Sequence, residues 1–168
     1  MGYSSSFGIA SLGIRLNYIQ YRAEGFETQD YLTFDFGGVT RLTDQLTIGA
    51  FIKNINQPLL SDFGNERIPA QMVFGVKFSP TEFISIIGEV DKTLNEVTTW
   101  KGALEYIIYK KIFFRTGFNI DPNAGFFGIG YNHNKFNVDY AIQFLEQLQA
   151  GHQVSVSYRI KNKTETGK

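Results

Sequence analysis

The sequence contains no cysteine, which excludes disulfide bonds and thiolate metal sites. It also has no net charge, because 16 basic residues balance 16 acidic ones, so no overall field attracts it to nucleic acid. Charged residues make up only 19%, below the roughly 25% of typical soluble domains. Indications of fold and function must therefore come from the order of residues along the chain.

Long hydrophobic runs are also missing. No stretch of about 18 apolar residues occurs, which excludes a membrane-spanning helix. The first residues, MGYSSSFGIASLG, have neither the basic segment nor the unbroken apolar segment of a signal peptide. We therefore expect that any export signal lies outside this chain. A membrane barrel is compatible with both absences, since each of its strands is short and gives a weak signal.

Aromatic residues, glycine and alternation are what the sequence does contain. With 16 Phe, 9 Tyr and 17 Gly, the composition favours strands and tight turns over helices. Ten successive segments of about eight to eleven residues alternate between apolar and polar or small residues. This pattern predicts an all-β fold, an antiparallel up-and-down meander of about ten strands that forms a β-barrel, and the composition of its two faces favours a transmembrane β-barrel. Residues 1–160 would be its single domain and residues 161–168 a polar tail.

Charged side chains occur on only one face of these predicted strands, since the apolar sets contain no Asp, Glu, Lys or Arg. Small Gly and Ser residues lie between the charges. We expect Glu89 and Asp91 to face Lys77 and Lys101 on adjacent strands as charge ladders. The charged residues of this face are the candidates for lining a lumen: Arg15, Asp35, Lys53, Lys77, Glu89, Asp91, Lys101, Glu105, Arg115, Asp139 and Arg159.

The predicted connections alternate between short and longer ones. The short ones are RLTDQ, SPTE, YKK and NHNK, and the longer ones, including residues 54–70 and 144–150, all fall at the opposite end. This alternation is typical of outer-membrane barrels, which have short periplasmic turns and longer outer loops. With ten strands, both termini would lie at the short-turn end. Apolar residues of the two longer connections are candidate contacts for a partner or for the barrel mouth: Leu59, Leu60, Phe63, Leu145 and Leu148.

Alternation alone fits two kinds of barrel, which differ in the face that is turned inward. The apolar face encloses a ligand in a soluble lipocalin-like barrel and contacts lipid in an outer-membrane barrel. The outer-membrane barrel is favoured because the small residues of the polar face leave room in a lumen, and because the apolar side chains are too numerous for a small barrel's interior. Aromatic residues at or near the ends of the apolar sets also resemble membrane girdles: Tyr18, Trp100, Tyr106, Tyr131, Tyr140 and Tyr158.

The segment GYNHNKFNVDYAIQFLEQLQAGHQVSVSYRI resembles the C-terminal end of bacterial outer-membrane barrels of the PorV/PorQ type, which are related in fold to FadL fatty-acid channels. FDFGGVTRLTDQLTIGAFIKNI, RIPAQMVFGVKFSP and WKGALEYIIYKKIFFRTGFN are similar to earlier hairpins of that family. The resemblance implies a barrel of about fourteen strands, of which this chain would be the C-terminal ten-strand portion. Closure on its own ten strands is the alternative. The family's last strand usually ends Tyr-Arg-Phe, whereas this chain has Tyr158-Arg159-Ile160.

Two functions in the bacterial outer membrane follow from this resemblance. One is FadL-like transport of hydrophobic small molecules, and the other is a PorV-like role in type IX protein secretion, in which loops hold a secreted cargo protein. A soluble lipocalin-like β-barrel that binds an apolar ligand is the alternative. The expected partners are the lipid bilayer and either the small molecule or the cargo protein, with no nucleic acid.

We expect neither enzymatic activity nor a cofactor or metal site. The two histidines, His133 in a short turn and His152 at a strand end, have no neighbouring nucleophile–base arrangement. Glu89 and Asp91 could in principle act as an acid–base pair, but a charge ladder is the favoured interpretation.

Overall fold

Every regular element of the described chain is a β-strand. The computed structural model describes residues 1–21, 28–60, 66–146 and 149–158. The strands are β1 (Gly2–Phe7), β2 (Ala10–Tyr21), β3 (Gln29–Arg41), β4 (Leu46–Lys53), β5 (Gln71–Phe78), β6 (Ile84–Thr93), β7 (Thr99–Ile108), β8 (Ile112–Ile120), β9 (Ala124–Asn132), β10 (Phe136–Leu145) and β11 (Gly151–Tyr158). They form one 11-stranded sheet in sequence order with antiparallel ladders throughout. The predicted all-β antiparallel meander is confirmed.

The sheet is open rather than closed into a barrel. Strand contacts join only sequence neighbours, and within the described ranges no ladder links β1 to β11. Among the same residues, no helix has the length and apolar character needed to cross a membrane.

β1 is the strand that the sequence prediction omitted. It pairs with the first half of β2, from Phe7 opposite Ala10 to Gly2 opposite Arg15. The prediction missed it because GYSSSF is short and one of its three outward positions is a serine, so its alternation is too weak to separate from a loop. The extra strand also corrects the predicted placement of the termini. Met1 lies at the end with the longer connections, whereas β11 finishes at the short-turn end.

The connections largely agree with their predicted positions. At one end of the sheet β1 leads to β2, β3 to β4, β5 to β6, β7 to β8 and β9 to β10, and at the other end β2 leads to β3, β4 to β5, β6 to β7, β8 to β9 and β10 to β11. The end at which β1 leads to β2 is called the short-turn end, and the end at which β2 leads to β3 is called the long-loop end.

The two faces of the sheet differ in exposure. The buried strand residues Tyr31, Thr33, Val73, Ser85 and Ala124 all belong to the polar face, where Thr33 is 0% exposed. Large residues of the apolar face stay exposed, and Phe127 is 57% exposed. Since a flat sheet would expose its faces about equally, the sheet curves toward its polar face. The small residues of that face permit this curvature.

The turn between β7 and β8 is conformationally strained. Tyr109 and Lys110 have positive φ angles of 50° and 58°, and the Lys111 N–H donates to the Ile108 carbonyl at 3.1 Å. This is the geometry of a type I′ turn, for which Asn-Gly is preferred because other side chains meet the backbone at positive φ.

We expect the double substitution of Tyr109→Asn and Lys110→Gly to raise the free energy of unfolding by about 1–2 kcal/mol. Urea unfolding in detergent micelles measures the change. Lys110→Gly also removes the 2.8 Å ion pair with Glu82, which contributes little because both side chains are largely exposed. Glu82→Gln isolates that loss. An unchanged urea midpoint in the double variant would contradict the strain.

Candidate functional site: the charged concave face

The ten described candidate lumen residues all lie on the concave polar face; the eleventh, Arg159, lies outside the described residues. Strand register places several of them directly opposite one another. Arg15 faces Asp35, Glu89 faces Lys101, and Glu105 faces Arg115. Arg41, which the sequence suggested as part of a turn, ends β3 on the same face.

A first charged cluster joins β5, β6 and β7. The Lys101 ammonium donates to Glu89 Oε1 at 2.7 Å and to Asp91 Oδ2 at 3.0 Å. The Gln71 Nε2 group donates to both oxygens of Asp91, at 2.8 and 2.9 Å. Each carboxylate therefore has a charged or amide donor, and the ladder expected between Glu89, Asp91 and Lys101 is present.

A second cluster is centred on Arg115 of β8. Its Nε donates to Glu105 Oε2 at 2.7 Å, and its Nη1 donates to Asp139 Oδ1 at 2.7 Å. Asp139 lies two strands away, so the guanidinium crosses β9. Gly130 makes the crossing feasible, because a Cβ at that position would overlap the Asp139 carboxylate.

Lys77, Lys53 and Asp35 have partners that the sequence did not indicate. The Lys77 ammonium was expected to face the Glu89–Asp91 pair but instead lies 4.0 Å from Glu105 Oε1, across β6. Lys53 lies over the ring of Phe51, 5.3 Å from its centre. Asp35 accepts hydrogen bonds from Asn17 Nδ2 at 2.8 Å and from the Asn54 N–H at 3.1 Å. Of these contacts only that between Lys77 and Glu105 joins strands that are not adjacent. Lys53 and Asp35 have their partners on the same strand, on an adjacent strand or directly after one.

Replacing Arg115 by methionine is expected to lower the free energy of unfolding by about 1–2 kcal/mol, because Glu105 and Asp139 each lose a charged donor while half-exposure limits the cost. Urea unfolding of the detergent-refolded protein measures it. Arg15→Met is the matched control, since Arg15 takes part in no ion pair within the described ranges. Equal losses in both variants would refute a specific role for the cluster.

The connection between β4 and β5 covers the edge of β3 that β4 leaves unpaired. The Ile55 N–H donates to the Phe34 carbonyl at 2.9 Å. The side-chain amide of Asn56 accepts from the Phe34 N–H at 3.1 Å and donates to the Leu32 carbonyl at 2.7 Å. Residues 54–56 thus substitute for a strand at the long-loop end.

Residues 58–60 and 66–68 of this connection pair with each other. The Leu60 N–H donates to the Glu66 carbonyl at 2.7 Å, and the Ile68 N–H donates to that of Pro58 at 2.9 Å. The buried Tyr31 hydroxyl donates to the Leu60 carbonyl, and Ile68 is also buried. The described part of this connection therefore packs against Tyr31 at the long-loop end of the concave face.

The five predicted loop contacts differ in their exposure and in the element to which they belong. Leu59 is 43% exposed, and Leu60 is partly buried. Leu145 belongs to β10, where it opposes Ala124 on the polar face, and not to a connection as predicted. Phe63 and Leu148 lie outside the described residues.

A concavity of about 880 Å³ opens beside the first cluster, along β1 to β6. Its lining combines charged groups of both signs with apolar ones, and the apolar members were not among the predicted site residues. Their signal in the sequence is a break in alternation, such as Met72-Val73 or Ile86-Ile87. The larger lining residues of the polar face are Arg15, Lys53, Lys77, Asp35, Glu89, Val39, Phe51, Val73 and Ile87.

The arrangement cross-links neighbouring strands electrostatically. No group of three or more His, Asp or Glu side chains within the described residues is arranged to hold a metal ion. The Tyr140 hydroxyl lies 2.7 Å from Nδ1 of His152 on the apolar face, away from the charged clusters.

No protein-family model matches this chain, and no curated protein matches it significantly.

Proposed function

We propose that these strands form the wall of a bacterial outer-membrane β-barrel, with the concave polar face toward the lumen and the apolar face toward lipid. The observation that carries this proposal is the segregation of charge on a curved sheet. Within the described strands, the only Asp, Glu, Lys or Arg residues on the apolar face are Asp30 and Lys92, both near the long-loop end. Lipid tolerates such a face, and the charges lie where headgroups would meet them.

The exposure of the apolar face supports the same proposal. Its large side chains, including Trp100 at 55% and Phe118 at 55%, remain exposed across the sheet. Soluble monomers rarely expose contiguous apolar patches above a few hundred Å². A bilayer would cover this face without requiring a protein partner along its whole width.

Aromatic residues near both ends of the apolar face provide further support. Tyr106, Tyr131 and Tyr158 lie at the short-turn end, and Tyr18 and Trp100 lie toward the long-loop end. Rings at these two levels are what a bilayer's interfaces favour. Tyr140, which was also assigned to the girdle, lies in the middle of β10 and pairs with His152 instead.

Between the two roles implied by the resemblance, the ion pairs favour the secretion role. The Lys101 and Arg115 clusters place charges over β6 to β10, so that this part of the concave face offers no apolar path to a hydrophobic molecule. A PorV-like role in holding cargo uses the loops and needs no such path. We therefore propose that the protein acts through its long-loop end.

FadL-like transport is the second candidate, and one observation favours it. The 880 Å³ concavity along β1 to β6 places Phe51 and Val73 in one cavity with Lys53, Asp35 and Glu89, an environment suited to a molecule with an apolar body and a polar or charged group. The lipocalin-like alternative has less support, because it needs the apolar face on the inside of the curve.

Flotation and gel mobility test the membrane proposal. The chain is refolded with phospholipid vesicles, floated through a density gradient and run unheated beside a boiled sample. We expect it to float with the vesicles, and faster migration before boiling would in addition show that the strands close into a barrel in the bilayer. A soluble, sharply melting protein in plain buffer would instead establish the lipocalin-like alternative.

Cargo export in cells that carry the secretion machinery tests the choice of role. Leu59→Asp changes an exposed loop residue, and Glu105→Gln changes a charge of the concave face. We expect the first to reduce export and the second to leave it unchanged. Normal export in Leu59→Asp, with altered uptake of hydrophobic molecules in Glu105→Gln, would favour transport.

A further inference from the structure

Charge is divided unevenly between the two halves of the concave face. Within the described strands, the half formed by β2 to β5 has four cations and one carboxylate, and the half formed by β6 to β10 has two cations and four carboxylates. The first half carries Arg15, Arg41, Lys53, Lys77 and Asp35, and the second carries Glu89, Asp91, Lys101, Glu105, Arg115 and Asp139. The concavity of about 880 Å³ therefore opens along the cationic half.

Two cations that line this concavity flank a single carboxylate. Arg15 opposes Asp35 in the register, and Lys53 directly follows Ile52, which opposes Phe36. Arg15, Asp35 and Lys53 thus form one row across β2, β3 and β4. Among the described residues, however, neither Arg15 nor Lys53 has a carboxylate within ion-pair distance.

The Asp35 carboxylate is bound from the long-loop end instead. Its Oδ2 accepts from Asn17 Nδ2 at 2.8 Å, and its Oδ1 accepts from the Asn54 N–H at 3.1 Å. Asn17 lies two residues beyond Arg15 toward the long-loop end, and Asn54 lies one residue beyond Lys53. Asp35 therefore holds the start of the connection after β4 and leaves the charges of the two flanking cations without a counter-ion.

The remaining charges at the concavity do not supply that counter-ion. The Glu89 carboxylate is bound by Lys101 at 2.7 Å, and the Lys77 ammonium lies 4.0 Å from Glu105. Lys53 lies over the ring of Phe51 rather than against a carboxylate. The carboxylates at the concavity thus already have donors, whereas two of its cations have none of the acceptors that an anion would offer. Such an imbalance favours the binding of an anion.

We propose that the concavity binds a small amphiphile with a phosphate monoester head group, which Arg15 and Lys53 hold together. Their strands are two ladders apart, which separates the Cα atoms by about 10 Å, a gap that two long side chains span from either side of one anion. A phosphate monoester carries close to two negative charges at neutral pH and compensates both cations, whereas a carboxylate or sulfonate compensates one. The arginine fork and the lysine ammonium both bind phosphate oxygens.

Apolar side chains next to these cations would hold the body of the molecule. Phe51, Val73 and Ile87 line the concavity on the same face, and the Phe51 ring lies directly beside the Lys53 ammonium. The volume of the concavity falls within the roughly 300–1,000 Å³ of small-molecule sites. This inference goes beyond the proposed role in secretion, because it concerns the concave face and not the long-loop end.

Titration calorimetry with naphthyl phosphate tests the site in the unmodified chain. The protein is refolded with vesicles of zwitterionic phosphatidylcholine, and protein-free vesicles correct for partitioning into lipid. Naphthalenesulfonate is the matched probe, because it has the same rings and a tetrahedral head group with a single charge. We expect naphthyl phosphate to bind about tenfold more tightly than naphthalenesulfonate and than inorganic phosphate, which lacks the apolar body. Equal affinities for the phosphate and sulfonate probes would overturn the two-cation site.

Arg15→Met and Lys53→Met assign the preference to the two residues. Each variant should bind naphthyl phosphate about tenfold more weakly and lose the preference for phosphate over sulfonate. Since neither residue takes part in an ion pair within the described ranges, we expect both variants to fold, and an unchanged urea midpoint separates the loss of binding from a loss of fold. A variant of either residue that folds and keeps the preference would overturn the assignment.

Arg41→Met is the matched control, because it removes a cation from the same face without touching the concavity. Arg41 lies six residues from Asp35 along β3, about 20 Å away, which exceeds the Debye length of about 8 Å at physiological salt. We expect its affinity for naphthyl phosphate to change by less than about twofold. Equal weakening in Arg41→Met and Arg15→Met would show a diffuse field rather than a site.

Flotation of the same vesicles keeps this inference separate from the membrane proposal. A chain that floats but binds the phosphate and sulfonate probes equally loses the site and keeps its membrane role. A chain that prefers naphthyl phosphate without floating keeps the site and refutes the membrane proposal.

Discussion

Replacing Leu104 by lysine is expected to lower the free energy of unfolding in a bilayer by about 2–4 kcal/mol. Leu104 lies in the middle of β7 on the apolar face, opposite Ile86 and Thr116, and is 42% exposed. A lysine there would hold its ammonium near the centre of the hydrocarbon layer, far from either interface. Urea unfolding from vesicles, followed by tryptophan fluorescence of Trp100, measures the loss.

Ala103→Lys is the matched control because it places the same charge at the same depth on the opposite face. Ala103 is exposed on the concave side, between Ile87 and Gly117 in the register. In a water-filled lumen the lysine remains hydrated, and we expect a change within about 0.5 kcal/mol. The contrast between adjacent residues therefore reports which face meets lipid.

The opposite ranking would contradict the membrane proposal. If the apolar face were simply exposed to water, Leu104→Lys would be tolerated and would improve solubility. If that face enclosed a ligand in a soluble barrel, the lysine would be costly in plain buffer as well as in vesicles. Only a membrane barrel predicts a loss that appears in vesicles and has no counterpart in plain buffer, together with tolerance at Ala103.

The alternation of residues predicted most of the strands because, in a sheet, the same periodicity determines both the local conformation and the face. The predicted connections 42–45 and 109–111 coincide with those of the structure. β1 was missed by the prediction because its sequence, GYSSSF, is half serine and carries little of that periodicity. The number of strands that close a barrel is not encoded in the pattern of any single strand, and the sheet of this structure is open.

The charged site was predictable only where partners are neighbours. Glu89 and Lys101 oppose each other in adjacent strands, and alternation places both on one face. The pair of Arg115 with Asp139 depends on the curvature of the sheet and on a glycine in the intervening strand. Neither condition belongs to the local pattern of β8 or β10. Long side chains on a concave face therefore find partners that pairwise sequence reasoning does not reach.

Gly117→Ala is expected to lower the free energy of unfolding by about 1–3 kcal/mol, since overpacking a close backbone contact costs this much. A Cβ at Gly117 would lie 2.8 Å from the Gly102 carbonyl oxygen and 3.2 Å from the Ala103 Cβ. The contact is with backbone and with a Cβ, so no rotamer change relieves it. The ladder between β7 and β8 would have to separate.

Gly88→Ala is the matched control, because a Cβ there has no atom within 4 Å. Alanine is favoured over glycine inside a strand by roughly 0.5–1 kcal/mol, so this variant should be neutral or slightly stabilised. Urea unfolding of both variants in detergent gives the comparison. Because Arg115 and Gly117 lie on the same strand and face, separation of β7 from β8 should also weaken the contact between Arg115 and Glu105. Adding Arg115→Met to Gly117→Ala should then cost less than it does in the unmodified chain, whereas full additivity would show that the glycine and the charged cluster act independently.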